Sequence, residues 1–334
     1  MLFRYRAYGV TISSDVEIPE LAPAPADRAL PEVRVRLIAS RPIPQPAEWI
    51  RRSFTPDGEL FLACARIEDG YLLRFEKFAD FAVRPGGRAI ECARKEPGVS
   101  LATLRHLLLD HAFPMALNLS GKEVLHATAI VSNHGACAFI GPTGSGKSTL
   151  AGSFLRCRHP LLADDCLVVE ESDRILATPA YPGLRLWQDS MAALSSESDR
   201  ALRVAGYSSK ARLLGPRASA GFPREPLPLA GIYRVIRQDA AGAPRIETMS
   251  ARQSLIQLVS SAFLIDNTDP AVLSRQFAFF GRLLAQVPVR QLIIPNDFSA
   301  LPAARDAILA DLECTPSPRT PDDRAGRPTP RTST

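Results

Sequence analysis

The octapeptide Gly141-Pro-Thr-Gly-Ser-Gly-Lys-Ser148, followed by Thr149, constrains this chain more than any other stretch of its sequence. It has the form GxxxxGK[ST]. Such a loop wraps an anionic chain with inward-pointing backbone N–H groups, and its glycines allow a close approach that a Cβ would block. It works only between a strand and a helix, whose positive end adds to the same spot. Both are present as patterns: Ala136-Cys-Ala-Phe-Ile140 is an apolar strand, and Leu150-Ala-Gly-Ser-Phe-Leu155 carries the loop into a helix that reaches about Arg156. The spacing therefore predicts an α/β unit that holds phosphates with Gly141, Pro142, Thr143, Gly144, Ser145, Gly146, Lys147, Ser148 and Thr149. Lys147 is expected to reach the β- and γ-phosphates, and Ser148 to ligate Mg²⁺.

Composition removes other classes. With 334 residues, 46% apolar and 22% charged, the chain has the length and balance of one large globular domain or two modest ones. No apolar run is long enough to cross a bilayer. The start, Met1-Leu-Phe-Arg-Tyr-Arg6, lacks the basic-then-apolar order of a signal peptide. Six scattered cysteines form no CxxC pair, so neither a zinc site nor a disulfide framework is expected. These features place the chain in a reducing cytoplasm with no membrane partner. Of the net charge of +5, residues 315–334 supply four Arg against two Asp, leaving about +3 elsewhere and no case for a nucleic-acid partner. The 40 basic residues divide into 35 Arg and five Lys, namely Lys77, Lys95, Lys122, Lys147 and Lys210. Lys is a compact point charge and Arg a planar fork, so each retained Lys raises a question of function. For Lys77, Lys95 and Lys122 the expectation is ordinary surface lysine.

Along the chain, residues 1–98 read as a β-rich N-terminal domain, with short strand-like stretches at Phe3 to Ser13, Glu32 to Ile38, Leu60 to Ile67, Tyr71 to Phe75 and Phe81 to Val83. Arg41-Pro-Ile-Pro-Gln-Pro46 reads as a loop. From Ser100 to Leu119 apolar residues recur at helical spacing, with Pro114 as a kink or break. Strands are predicted at Val124 to Val131 and Ala136 to Ile140, joined by the hairpin turn Ser132-Asn-His-Gly135, and again at Leu161 to Glu170. Short strands and loops continue to about 245. Residues 251 to 286 read as helical, with Pro270 and Ala271 opening a second helix. Residues 99–314 thus form the catalytic domain, and residues 315–334, rich in Pro, Thr and Arg, a disordered tail.

His159-Pro-Leu-Leu-Ala-Asp164-Asp165-Cys-Leu-Val-Val-Glu170 sets two adjacent acids inside an apolar run. Buried carboxylates need a metal or a positive partner. In a strand the two would point to opposite faces and could not share one role. Phosphoryl transfer requires one group on Mg²⁺ and another that orients or deprotonates the acceptor hydroxyl. The pair stands 17 residues after Lys147, room for one helix and one strand that return it to the loop.

The stretch His126 to Glu170 resembles the catalytic core of HPr kinase/phosphorylase, a family similar in fold to ATP-dependent phosphoenolpyruvate carboxykinase. Three spacings carry the resemblance: His126 stands 15 residues before Gly141, the Asp164–Asp165 pair 17 after Lys147, and His159 precedes that pair. The resemblance implies an HPr kinase-like P-loop domain with a mixed β-sheet, ATP and Mg²⁺ as cofactors, Asp164 as general base, Asp165 as the metal-side partner and His126 beside the catalytic aspartate. Two departures point away from HPr itself as acceptor. Thr149 stands where the family usually has Glu, and Ala180-Tyr-Pro-Gly-Leu-Arg-Leu-Trp187 replaces a Glu-Ile-Arg-Gly signature, leaving Arg185 as its basic residue. The whole chain is more similar to divergent HPr-kinase-like serine kinases, some of which phosphorylate a lasso-peptide precursor. Their opening strand and their Gly-Leu-Arg-Leu-Trp segment are matched here, and Lys210 falls at a lysine expected to reach the phosphates.

The expected activity is transfer of the γ-phosphoryl group from ATP to a Ser or Thr hydroxyl of a peptide or small protein, with a homo-oligomer left open. A small-molecule kinase, acting on free serine or carboxykinase-like, is the alternative on the same scaffold. A regulatory ATPase is disfavoured, because neither an LSGGQ signature nor a distant Walker B strand is found.

Overall fold

Tight turns close one strand onto the next through most of the first 94 residues, and a nine-stranded sheet results. The structure, a computed structural model, describes residues 2–24, 32–38, 43, 46–194, 200–203, 210–214, 221–239, 242–263 and 266–314. The stretch read as one strand from Phe3 to Ser13 folds back on itself, since Tyr8 and Gly9 both take positive φ (55° and 69°). That geometry matches the twist of a two-residue hairpin. The order across this sheet is Ala22–Pro23, Phe3–Ala7, Val10–Ser14, Glu32–Leu37, Ala89–Arg94, Ala79–Val83, Gly70–Phe75, Leu60–Ile67 and Arg51–Phe54. Only the contacts flanking Glu32–Leu37 are parallel.

Pro114 does not end the helix that follows. The chain is α-helical over Leu101–Leu107, widens to a π turn over Leu108–Ala112 and returns to α-helix over Phe113–Leu119. Proline lacks an N–H and crowds the carbonyl four residues back, and a wider turn just ahead of it accommodates both. Ser100 caps the start by accepting from the Thr103 N–H. The buried face of this rod, including Leu104, Leu107, Leu108, Phe113 and Met115, shares one apolar cluster with both large sheets.

The second large sheet runs Glu123–Leu125, Leu167–Glu171, Ile175–Thr178, Leu227–Gln238, Gly135–Ile140, Thr128–Ser132 and Leu161–Ala163, with Val289–Pro295 and Arg245–Thr248 joined to it. Gly135–Ile140, Leu227–Gln238 and Val289–Pro295 are mutually parallel neighbours. Ligands of open α/β sheets collect outside the carboxyl ends of such strands, and the Gly141–Ser148 loop leaves from there. The helix Lys147–Arg156 buries Leu150, Phe154 and Leu155 against Phe139, Tyr233 and Ile308 in a second apolar cluster. Gly152 within it lets the helix Gln188–Leu194 close in, since a Cβ there would lie 2.8 Å from Leu194 Cδ1. A three-stranded sheet of Leu184–Leu186, Ala211–Leu214 and Arg200–Arg203 adjoins.

The hairpin Thr128–Ser132 to Gly135–Ile140 and the helices Ala251–Ser261 and Pro270–Gln286 lie where the sequence predicts them. Other expectations need correction. Val124 to Val131 is two strands, broken at His126 and Ala127, because Glu123–Leu125 pairs with Leu167–Glu171 while Thr128–Ser132 pairs with Gly135–Ile140. Leu161 to Glu170 is likewise two strands, separated by a bend at Asp164 and Asp165. The region up to 245 holds the helix Gln188–Leu194 and a 12-residue strand besides its short strands. Beyond 286 there are the strand Val289–Pro295 and the helix Leu301–Cys314, which the sequence reading passes over. Most of the segment 41–46 and all of 315–334 lie outside the described residues. All six cysteines are free thiols. Among the described residues no helix is long and apolar enough to cross a membrane.

Candidate functional site

Three glycines shape the loop. Gly141, Gly144 and Gly146 have φ of 141°, 85° and 96°, a region that L side chains rarely enter. At Gly141 space is closed as well: a Cβ would stand 2.9 Å from Ser145 Oγ and 3.1 Å from the Val235 carbonyl. Lys147, 5% exposed, folds back across the loop and donates from Nζ to the carbonyls of Gly141 (2.8 Å) and Pro142 (3.1 Å). Burial lowers its pKa, against the charges of Asp165 and Asp164, which raise it.

The Asp pair sits in the bend between two strands rather than within one, so strand alternation does not set the directions of its side chains. Asp165 takes a left-handed backbone (φ 62°), which turns the two side chains to different surroundings. Asp164 is 3% exposed and points inward. Its Oδ1 accepts from Ser148 Oγ (2.9 Å) and Thr128 Oγ1 (2.8 Å), and its Oδ2 from the Arg185 backbone N–H (2.8 Å). Burial and the Asp165 charge push the Asp164 carboxyl up from its ordinary value. Asp165 instead lines the cleft beside the loop and pairs with Arg185 Nη2 at 2.9 Å. Burial raises its pKa, but Arg185, His126, Lys210 and Lys147 together outweigh this and hold the carboxyl well below the usual range.

Sequence reasoning did not place Arg185 at the centre of the site, yet this fully buried guanidinium contacts Asp110, Asp164 and Asp165. Asp110 also meets His106 Nδ1 at 3.2 Å. Arg185 and Asp110 come from the strand Leu184–Leu186 and the π turn of the long helix, 75 residues apart. His126, in the break between its two strands, places Nδ1 3.2 Å from the Asp165 carbonyl and donates its backbone N–H to the Ser261 carbonyl (2.6 Å). Burial lowers its pKa, although Asp165 opposes this.

The remaining expected residues are accounted for as follows. Thr143, Gly144, Gly146, Lys147, Ser148 and Thr149 line the cleft. Thr149 turns its hydroxyl to Ser190 Oγ (2.9 Å), towards the helix Gln188–Leu194. Lys210 lies in the same cleft, its Nζ 5.3 Å from the centre of the Trp187 ring. Trp187 is 42% exposed, a large apolar surface at the site. His159 stays outside, with Nδ1 3.2 Å from the Val131 carbonyl and its ring edge-on to Phe154. Lys122 is not a free surface lysine, since it is largely buried in an ion pair with Glu170.

Mg²⁺ prefers hard oxygen donors and is commonly held by one or two protein groups plus substrate phosphates. The Ser148 hydroxyl and Asp164 carboxylate, hydrogen-bonded to each other beside the loop, are a donor set of that kind. Among the described residues no group of three or more His, Cys, Asp or Glu is arranged to hold a metal without such phosphates.

No family model matches the chain, and no curated protein matches it. Among solved structures, the HPr(Ser) kinase/phosphatase from Coxiella burnetii is similar over 57% of this chain and 97% of that chain, at 10% identity and a TM-score of 0.30. A likeness at that score carries no argument. The chain is a mixed α/β protein.

Proposed function

We propose that this chain is an ATP- and Mg²⁺-dependent phosphotransferase that moves the γ-phosphoryl group to a Ser or Thr hydroxyl of a peptide or small protein. One observation carries the reading: the GxxxxGK[ST] loop, Ser148 with Asp164 hydrogen-bonded behind it, and Asp165 paired with Arg185 meet at a single cleft. The loop's N–H groups and Lys147 take the phosphate chain, and Lys210 adds a second positive charge at the same centre. Held by Ser148, Asp164 and phosphate oxygens, Mg²⁺ would neutralise charge that builds on the phosphates.

The bonding pattern supports an exchange of the roles that the resemblance implies for the two aspartates. Asp164 is committed to Ser148, and so belongs on the metal side. Asp165 faces the cleft, and so serves the acceptor. The acceptor oxygen bonds to the γ-phosphorus while the bond from that phosphorus to the β–γ bridging oxygen breaks, and Asp165 receives the hydroxyl proton. A carboxylate held so low is a weak base. Phosphoryl transfer passes through a loose transition state, however, in which orienting the hydroxyl matters more than removing its proton early. Arg185 fixes Asp165 in place, and His126 braces the bend through the Asp165 carbonyl. The exposed Trp187 at the cleft offers an apolar platform suited to an acceptor presented on a peptide.

The test is incubation with [γ-³²P]ATP, Mg²⁺ and Ser- or Thr-containing peptides, reading label transfer and phosphate release separately. Labelled peptide is the expected result. Phosphate release with no label on any hydroxyl acceptor would overturn the transfer reading.

A further inference from the structure

Arg237 lines the cleft, and among the described residues no carboxylate pairs with it. Arg237 lies near the end of the strand Leu227–Gln238, whose Arg234 is in register with Ile140, the last residue before the P-loop. Three more residues of extended chain, at about 3.3 Å each, carry the strand on past that point to the level of the loop. There the guanidinium packs on Gly146, where a Cβ would come within 3.0 Å of Arg237 Nε and 3.5 Å of its Cζ. Its Cζ also stands 5.9 Å from the centre of the Phe298 ring. The fork thus lies against a glycine and an aromatic ring, half-buried and lining the cleft.

Two other cations of the site are engaged by the chain itself. Arg185 has three carboxylates, and Lys147 has two loop carbonyls. A half-buried guanidinium with no carboxylate beside it is placed to take an anion from outside the chain. Its position identifies that anion. Arg237 is not the guanidinium paired with Asp165 at the acceptor end, a place that Arg185 holds. It touches instead Gly146, the residue from which the P-loop helix begins.

We propose that Arg237 is a phosphate-binding residue for the part of the nucleotide that is not transferred, gripping the phosphates of the departing nucleoside diphosphate. This rests on the phosphotransferase reading above. A planar fork suits two phosphate oxygens at once, and the Phe298 ring keeps that fork from swinging away. Gly146 has a second task here besides its positive φ: a side chain at 146 would press against the guanidinium.

Calorimetric titration of the whole chain and of Arg237→Gln, Arg237→Lys and Phe298→Ala with Mg·ATP and Mg·ADP, paired with steady-state kinetics, tests the assignment. Arg237→Gln should weaken ATP and ADP by the same factor, about tenfold to a hundredfold for a lost charge-assisted hydrogen bond. KM for ATP should rise while kcat holds, the signature of binding shared by ground and transition states. Arg237→Lys should recover part of the loss, and Phe298→Ala should lose less than Arg237→Gln. Unchanged ADP affinity in a folded Arg237→Gln protein overturns the assignment, as does a fall in kcat with affinity intact. If Arg237→Gln does not fold, equal ADP affinities of Arg237→Lys, Phe298→Ala and the parent overturn it. A parent protein that binds neither nucleotide sinks the phosphotransferase reading together with this one. Normal parent binding with an unaffected variant removes only the role of Arg237.

Discussion

The nine-stranded sheet and the P-loop cleft treat charge in opposite ways. In the sheet, many charged groups sit at strand ends and turns and pair near solvent, as Lys77 does with Glu59 and Arg84 with Glu91, while Phe75, Phe81 and Ile90 fill the inner face. Around the cleft, Arg185 and Asp164 are nearly inaccessible, and three carboxylates converge on one guanidinium. Removing ions from water costs several kcal/mol each, and mutual attraction repays it only in part. The sheet is therefore organised for stability. The cleft keeps buried charges that stability alone would not select, and the structure around it holds them in place.

Substitutions in the two regions should accordingly separate activity from stability. Lys147→Ala has the largest expected effect, loss of detectable transfer with sharply weaker ATP binding in a protein that still folds, because Lys147 is the charged group within the glycine cradle. Unchanged turnover in a well-folded variant would remove the P-loop assignment. Next is the Asp pair. Asp165→Asn should lower single-turnover transfer by about 10²–10⁴-fold with Mg·ATP affinity little changed, whereas Asp164→Asn should lose Mg·ATP affinity first. Measuring both quantities for both variants decides the allocation; the opposite pattern returns the base role to Asp164.

In the sheet the order reverses. Phe81→Ala should remove about 3–5 kcal/mol of stability in a denaturant titration and leave activity per folded molecule unchanged. Activity lost at full stability would show that the sheet reaches into the chemistry. A subtler contrast involves protons. Burial lowers the pKa of His106 to about 4, against the opposing charge of Asp110. The unfolded chain then binds a proton on this side chain more readily than the folded one. Stability is fully present above about pH 6.5 and falls as pH drops towards 4, by up to about 3 kcal/mol. Chemical denaturation across that range should show the loss, and His106→Gln should flatten it; an unaltered acid limb would exclude His106 as its source. The smallest effect belongs to Lys77→Ala, whose exposed pairing with Glu59 should leave the melting temperature where it is.

What the sequence determined by itself is local. The loop octapeptide lies between an apolar strand and a helix, the turn at Asn133 and His134 joins strands in register, and the helices opening at 251 and 270 carry their own start signals. Ser250 and Gln253 form a capping box, and Asp269 caps a helix whose first residue is Pro270. Each of these signals is complete within about ten residues, so no distant contact can remove it. Tertiary structure decided the remainder. His126 falls in a break because its two flanking strands have different partners, a matter of sheet order. Asp164 and Asp165 read as neighbours with interchangeable claims, and only the bend between two strands sends one to Ser148 and the other to the cleft. Arg185 stood out in the sequence only as the basic residue of its segment, and Arg237 was one of 35 arginines. No local pattern separates a guanidinium that meets three carboxylates from one that meets none among the described residues. That distinction arises when residues far apart in the chain are packed where water can no longer screen them.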